Sequence, residues 1–434
     1  MSDQASSNPR ATLLRDRNFV RYMSGGILSM LGDQFTLIAL PWLVLKMSGD
    51  TLVLGIVLAL IGVPRAVFIL IGGAMVDRHS PKRVLMLTKY VNTVLLGLLA
   101  ALVLSGSLSL WMVYVLALAI GLSTAFSIPS ATSLMPHVVA ASHLQAANSM
   151  MLGIRQMTMF AGPVLAGTMI ALVGDAQTGR AASSIGLGCA FLFDAFSFAA
   201  SAWTLHKTLL LAGSGAGGVS GASGATEPAA RRHVLHDVAE GLRHCWNDVS
   251  MRTCFIYWAA IMFLIAGPIQ VAMPVLASRL GDSAAGFGVL VGANAGGALI
   301  GMVISGAWPG LRSMRMGAMI LAIDCIVGVL FVPMGQIDAI WQGVLIMLTI
   351  GTLAGFMQVR VYTWMQQRVP RAMLGRAMSI FMFIFLGITP VSAAITGWLM
   401  RSVTTTEVFA GSGALLIAIV LVTLFATPMR SIAG

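Results

Sequence analysis

The chain has 434 residues, of which 58% are hydrophobic and only 9% charged, with 47 glycines and a mean hydropathy of +0.90. That profile excludes a large soluble domain and fits a polytopic membrane protein. The formal charge of +11 is spread between long apolar stretches, so it reads as a signal for orientation in a bilayer and calls for no nucleic-acid partner.

A hydrocarbon core of about 30 Å needs about twenty apolar residues per helix. Runs of that length lie near 23–45, 52–76, 84–105, 109–134, 144–173 and 184–206, and again near 253–278, 284–309, 316–335, 338–364, 373–400 and 406–427. The expectation is an all-α integral membrane protein of about twelve transmembrane helices in two pseudo-symmetric six-helix bundles. Its parts would be a first bundle over 1–206, a cytoplasmic linker with an amphipathic helix over 207–251, and a second bundle over 252–434.

Arg10, Arg15, Arg17 and Arg21 precede the first run, which is too long for the h-region of a cleavable signal peptide. With the N-terminus in the cytoplasm, eighteen of the 26 lysines and arginines fall on that side. Lys46, Arg180, Arg279 and Arg401 fall on the other, and Arg65, Lys89, Arg155 and Arg360 lie within or at the edge of spans. The bias places both termini of this multi-pass chain in the cytoplasm, and a cell inner (cytoplasmic) membrane is the expected location. Cys189, Cys245, Cys254 and Cys325 fall in spans or on the cytoplasmic side without metal-ligand spacing, so neither a structural disulfide nor a metal site is expected.

Between the halves, Gly213 to Ala225 has the composition of a flexible linker. After it Val234, Leu235, Val238, Leu242 and Trp246 recur at helical spacing opposite Asp237, Glu240 and Arg243, which predicts an amphipathic helix on the cytoplasmic face. The halves also carry a short internal repeat. "VAASHLQAANS" (Val139 to Ser149) aligns with "VPRAMLGRAMS" (Val369 to Ser379), and each copy leads into a run with an internal proline, Pro163 or Pro390.

One stretch breaks the apolar pattern. "GGAMVDRHSPKRVLMLT" (Gly72 to Thr88) sets Gly73, Asp77, Arg78, Lys82 and Arg83 between the second and third runs. It resembles the signature loop of the major facilitator superfamily, with Ser80 where that family has glycine and Pro81 where it usually has a basic residue. "LGDQFTLIALPWLVLKMSGDTLVLGIVLALIGVPRAVFILIGGAMVDR" looks like the first hairpin of the branch that includes the enterobactin exporter, macrolide efflux permeases and lysophospholipid transporters. "GIRQMTMFAGPVLAG" in the fifth run is similar to the antiporter motif of drug exporters: Gly162, Pro163 and Gly167 match, while Thr158 and Ala166 stand where glycine is usual.

The resemblance implies two six-helix bundles about a midplane cavity. It also implies a secondary active exporter that exchanges protons for a small amphipathic compound, a siderophore or drug-like molecule, and works as a monomer. A translocator of lysophospholipid or another lipid is the alternative within the same fold. No nucleotide loop of the form GxxxxGK[ST] and no Ser/His/Asp or zinc-ligand grouping is present, so neither an enzyme nor a cofactor is expected. The signature loop would bridge helix ends in one conformation and bias a two-state equilibrium.

Ionisable residues inside spans each cost at least about 2.5 kcal/mol at the bilayer centre unless paired or solvated. They are Asp33, Arg65, Arg155, Asp194, Asp324 and Arg360. Counting 1.5 Å per residue from Arg21, Asp77 and Leu144 at the cytoplasmic edge puts Asp33 and Arg65 about 18 Å deep and Arg155 about 16 Å deep. Asp33 is the expected proton carrier, with Arg65, Arg155 and Arg360 as substrate or charge-pair groups. In the family the sixth and ninth helices are peripheral, which makes Asp194 and Asp324 structural partners. Three arginines against one aspartate then favour an anionic or metal-chelating substrate.

Overall fold

The computed structural model describes residues 9–78, 80–175, 180–211, 246–281, 283–307, 315–369 and 374–431, with side chains over the same ranges except 9–10, 69–78, 175, 180–183, 374–376 and 379. Twelve helices within them are long and apolar enough to cross a membrane, and the described residues contain no strand. In chain order they are α1 (Arg17–Ser48), α2 (Thr51–Arg78), α3 (Pro81–Leu104), α4 (Leu110–Val138), α5 (Leu144–Asp175) and α6 (Arg180–Lys207). The second half contributes α7 (Val249–Gly281), α8 (Ala284–Ala307), α9 (Met316–Met334), α10 (Ile340–Arg368), α11 (Leu374–Leu399) and α12 (Thr405–Ala426). The amphipathic helix expected from Val234 onward lies outside the described residues, apart from Trp246.

Packing divides the chain into two compact units, Met1–Ala39 with Pro64–Ala229, and Leu40–Val63 with Ala230–Gly434. In the first unit α3 packs on α4 and α6, and α5 on α6. In the second, α9 packs on α10 and α12, α8 on α10, and α7 on α11. The pairings of α3 with α4 and α6 thus recur six helices later in those of α9, as two copies of one repeat require. The turn between α1 and α2 belongs to the second unit, where Thr51 Oγ1 donates to the Gly397 carbonyl at 3.0 Å.

Among the described residues, the two copies of the short sequence repeat begin alike and open a helix at the same position. Val139 and Val369 are extended residues that end α4 and α10, with N–H groups bonded back to the Met135 and Met365 carbonyls at 3.1 and 3.0 Å. Leu144 and Leu374 then open α5 and α11. The first copy anchors a core in which Phe19, Met23, Leu85, Leu134, Met135, Val138, Val139 and Leu205 are buried together, and this core fixes one end of the first unit.

In α7, Pro268 has no N–H to give, and the helix widens into a π-turn over Pro268–Ala272. Ser392 of α11 enters beside the break. The Gly267 N–H donates to Ser392 Oγ at 2.8 Å, and that hydroxyl donates to the Phe263 carbonyl at 2.5 Å. One side chain therefore bridges an amide and a carbonyl that an uninterrupted helix would pair directly.

Candidate functional site

Residues four and three apart on a helix share a face, so Ser29, Asp33 and Thr36 form one stripe along α1. The groups that meet this stripe come from three other helices. Lys89 of α3 donates from Nζ to Ser29 Oγ at 2.7 Å and lies over the Phe198 ring of α6, 4.6 Å from its centroid. At the other end, Asp194 of α6 accepts from the Thr36 hydroxyl and, at 3.2 Å, from Ser197 Oγ. The two helices come this close because residue 32 is glycine: a Cβ there would overlap the Ser197 hydroxyl and the Asp194 carboxylate.

Asp33 sits between these two anchor points. Its carboxylate is within electrostatic reach of Lys89 and of Arg65 on α2, while Asp194 feels both Asp33 and Lys89. Asp194 is 1% exposed, whereas Asp33 keeps an open face and accepts no hydrogen bond from a described residue. Arg65 has its Nε buried without a partner among the described residues. Four helices of one unit thus gather two carboxylates and two cations at mid-helix.

The structure brings Asp33 and Arg65 within electrostatic reach of each other, and it places three other residues differently from the expectation. Asp194 is no remote structural partner, since the contact at Gly32 brings it into the cluster. Lys89 had the look of an edge residue because the apolar run starts near 84, but α3 begins at Pro81, so Lys89 is its ninth residue, about 12 Å in. Arg155 is exposed on α5 and stays apart from Asp33. The register between α1 and α5 is set by buried Gly162 against Gln34, and Arg155 lies seven residues earlier, about 10 Å away along the helix.

In the second unit Arg360 is half-buried on α10, and Asp324 of α9, 1% exposed, accepts from Tyr257 Oη of α7 at 2.8 Å. Asp324 is the ninth residue of α9, as Lys89 is of α3, so the two repeats hold opposite charges at one position.

The signature-like loop is very short. Gly73, Asp77 and Arg78 lie in the last turns of α2, with side chains outside the described residues. His79 and Ser80 are all that separates Arg78 from Pro81 at the first position of α3. Ser80 is extended, as the residue before a proline prefers, and Pro81 suits a helix start, so the two departures from the family pattern fit the opening of α3. Lys82 Nζ donates to the His206 and Thr208 carbonyls at 3.2 and 2.7 Å, where the end of α6 has carbonyls unpaired within the helix and the dipole favours a cation. Arg83 is exposed, and Gly162, Pro163 and Gly167 are buried within α5. Among the described residues no three or more His, Cys, Asp or Glu are grouped so as to hold a metal ion.

The sequence profile of the Major Facilitator Superfamily matches residues 22–390. A relative from Escherichia coli O1:K1 named "Enterobactin exporter EntS" is 26% identical over 407 residues, covering 92% of this chain and 89% of that one. A protein of the same name from Citrobacter koseri is 25% identical over 360 residues, covering 82% and 77%. Among solved structures, that of the nucleoside transporter NupG is similar with a TM-score of 0.68 at 13% identity, covering 96% of this chain and 98% of that one.

Proposed function

The chain belongs to the Major Facilitator Superfamily and is a multi-pass membrane transporter, and from that premise we propose that it exports a small amphipathic compound in exchange for protons. The observation that carries this reading is Asp33, an accessible carboxylate deep in the first unit beside Lys89 and Arg65. A proton-driven transporter needs an acid that solvent reaches from inside the protein, with neighbours that respond to its charge. Asp33 carries the proton and Arg65 responds to it.

The substrate class follows the relatives named for enterobactin, a siderophore. The charge argument for an anion narrows, because Lys89 and Arg65 are balanced by Asp33 and Asp194. It now rests on Arg155, exposed on α5, whose guanidinium group suits catecholates and carboxylates. The protein works as a monomer in the cell inner membrane with both termini cytoplasmic. The segment from Gly73 to Arg83 acts as a conformational latch, and the helix around Gly162, Pro163 and Gly167 supports antiport.

The test is uptake of iron-free enterobactin by proteoliposomes with an acidic lumen. Accumulation above equilibrium that an uncoupler abolishes is the expected result. Movement of lysophospholipid without any gradient, and none of enterobactin, would replace this reading by lipid translocation.

A further inference from the structure

Resting on the reading of Asp33 as proton carrier, we propose that Asp33 exchanges its proton as one of two carboxylates, with Asp194, that share the counter-cation Lys89, and that this sharing sets the pH at which the exchange occurs. The stripe on α1 gives the geometry. Lys89 is anchored at Ser29, about 6 Å along the axis from Asp33, and Asp194 at Thr36, about 4.5 Å in the other direction. The charged groups facing Asp33 are Arg65 from α2, Lys89 from α3 and Asp194 from α6. The α4 helix carries no Asp, Glu, Lys or Arg, and Arg155 of α5 lies a helical turn or more away.

With all four groups ionised the cluster is neutral, the condition under which buried charge is tolerated in a membrane span. Lys89 is suited to serve both acids. Its ammonium has three donors; one is given to Ser29 and the Phe198 ring lies beneath it, while neither carboxylate is bonded to it. A proton arriving from water on an Asp33 oxygen leaves Asp194 as the sole anion for Lys89. Departure of that proton to water restores the shared arrangement. Arg65, with its Nε buried, stays the companion of Asp33.

Charge-neutral double substitution in the full-length chain tests this, with gradient-driven enterobactin uptake, its pH profile and thermal melting in detergent as readouts. Lys89→Met should lower gradient-driven uptake about tenfold or more, because it leaves a buried carboxylate uncompensated. Lys89→Met with Asp194→Asn should recover both melting and gradient-driven uptake, with a changed pH profile. Lys89→Met with Asp33→Asn should recover melting and downhill exchange but not gradient-driven uptake.

Wild-type uptake and pH profile in Lys89→Met would overturn the proposal. So would a Lys89→Met, Asp194→Asn protein that melts like the wild type yet transports no better than Lys89→Met. If Lys89→Met does not fold, Asp194→Asn alone decides, since a wild-type rate and pH profile in that variant also refutes the pair. Should the unaltered protein show no gradient-driven uptake of enterobactin, it is the proposed function that fails. The pair is then judged by melting, and a double variant melting no higher than Lys89→Met rejects it.

Discussion

Arg401 Nη2 lies 2.5 Å from Asp50 Oδ2, and Arg401 Nε lies 3.2 Å from both oxygens of the same carboxylate. The pair ties the turn between α1 and α2 to the chain just after α11, within the second unit. The Arg401 guanidinium holds the Asp50 carboxyl below the usual carboxylate range. A depressed folded value means that the stabilisation is complete above the unfolded value of about 3.9 and is lost as pH falls through the lower folded one. Asp50→Asn should therefore melt slightly below the wild type by a margin constant across neutral pH, shrinking only in strong acid. A margin that already disappears at mildly acidic pH, in paired melting curves, would contradict this.

A second pair separates two roles of one residue. Arg368 reaches Asp248 with Nε at 3.0 Å and Nη2 at 3.1 Å, while Asp248 Oδ1 also accepts the Ser250 and Met251 amides at the start of α7. Burial alone would push this carboxyl up, and Arg368 with the helix amides more than offsets it. Asparagine can keep the cap but not the charge. Asp248→Ala should cost about 1 kcal/mol more than Asp248→Asn, the usual worth of an N-cap. Equal denaturation midpoints for the two variants would show that the cap contributes nothing.

Gly32 should tolerate no side chain while its neighbours stay as they are. Gly32→Ala drives a methyl group into Ser197 and Asp194, and overpacking of this kind costs about 1–3 kcal/mol. Adding Ser197→Ala removes the nearest obstacle, so the double variant should regain part of the lost melting temperature. If the second change lowers stability further, the two helices do not meet as described.

Lys82 and Arg83 are neighbours in sequence with different work. Lys82→Met loses two carbonyl partners at the end of α6 and should cost about 1–2 kcal/mol, whereas exposed Arg83→Met should melt within about 0.5 kcal/mol of the wild type. Interchanged sensitivities in the same assay would mean that Arg83 holds α6.

Much of the fold was legible because hydrocarbon demands long apolar runs, and each of the twelve became a helix. Boundaries slipped where helices outgrow those runs: α1 starts at Arg17 rather than near 23 because its first turns need no lipid contact. Asp33 and Arg65 stood out in the sequence through the cost of ionised groups inside spans. Lys89 did not, since its depth depends on Pro81 opening the helix. The place of Asp194 depends on which helix faces Gly32, and that is a matter of packing with no local signal. The count along α5 was sound for Arg155, but its height relative to Asp33 is set by the contact of Gly162 with Gln34. Nor does the apolar pattern announce that Leu40–Val63 packs in the second unit.

The Ser392 hydroxyl at the π-turn of α7 has a consequence for bending in a solvent without water. In hydrocarbon, an amide and a carbonyl parted by a flexing helix have nothing else to bond to, and each orphan costs several kcal/mol. Here the substitute partner is already in place on α11, donating to one group and accepting from the other. The stretch from Phe263 to Ala272 can thus open without orphaning either backbone group. A membrane helix that would otherwise resist curvature here acquires a pliant joint, and its compliance is set by one oxygen atom of a neighbouring helix.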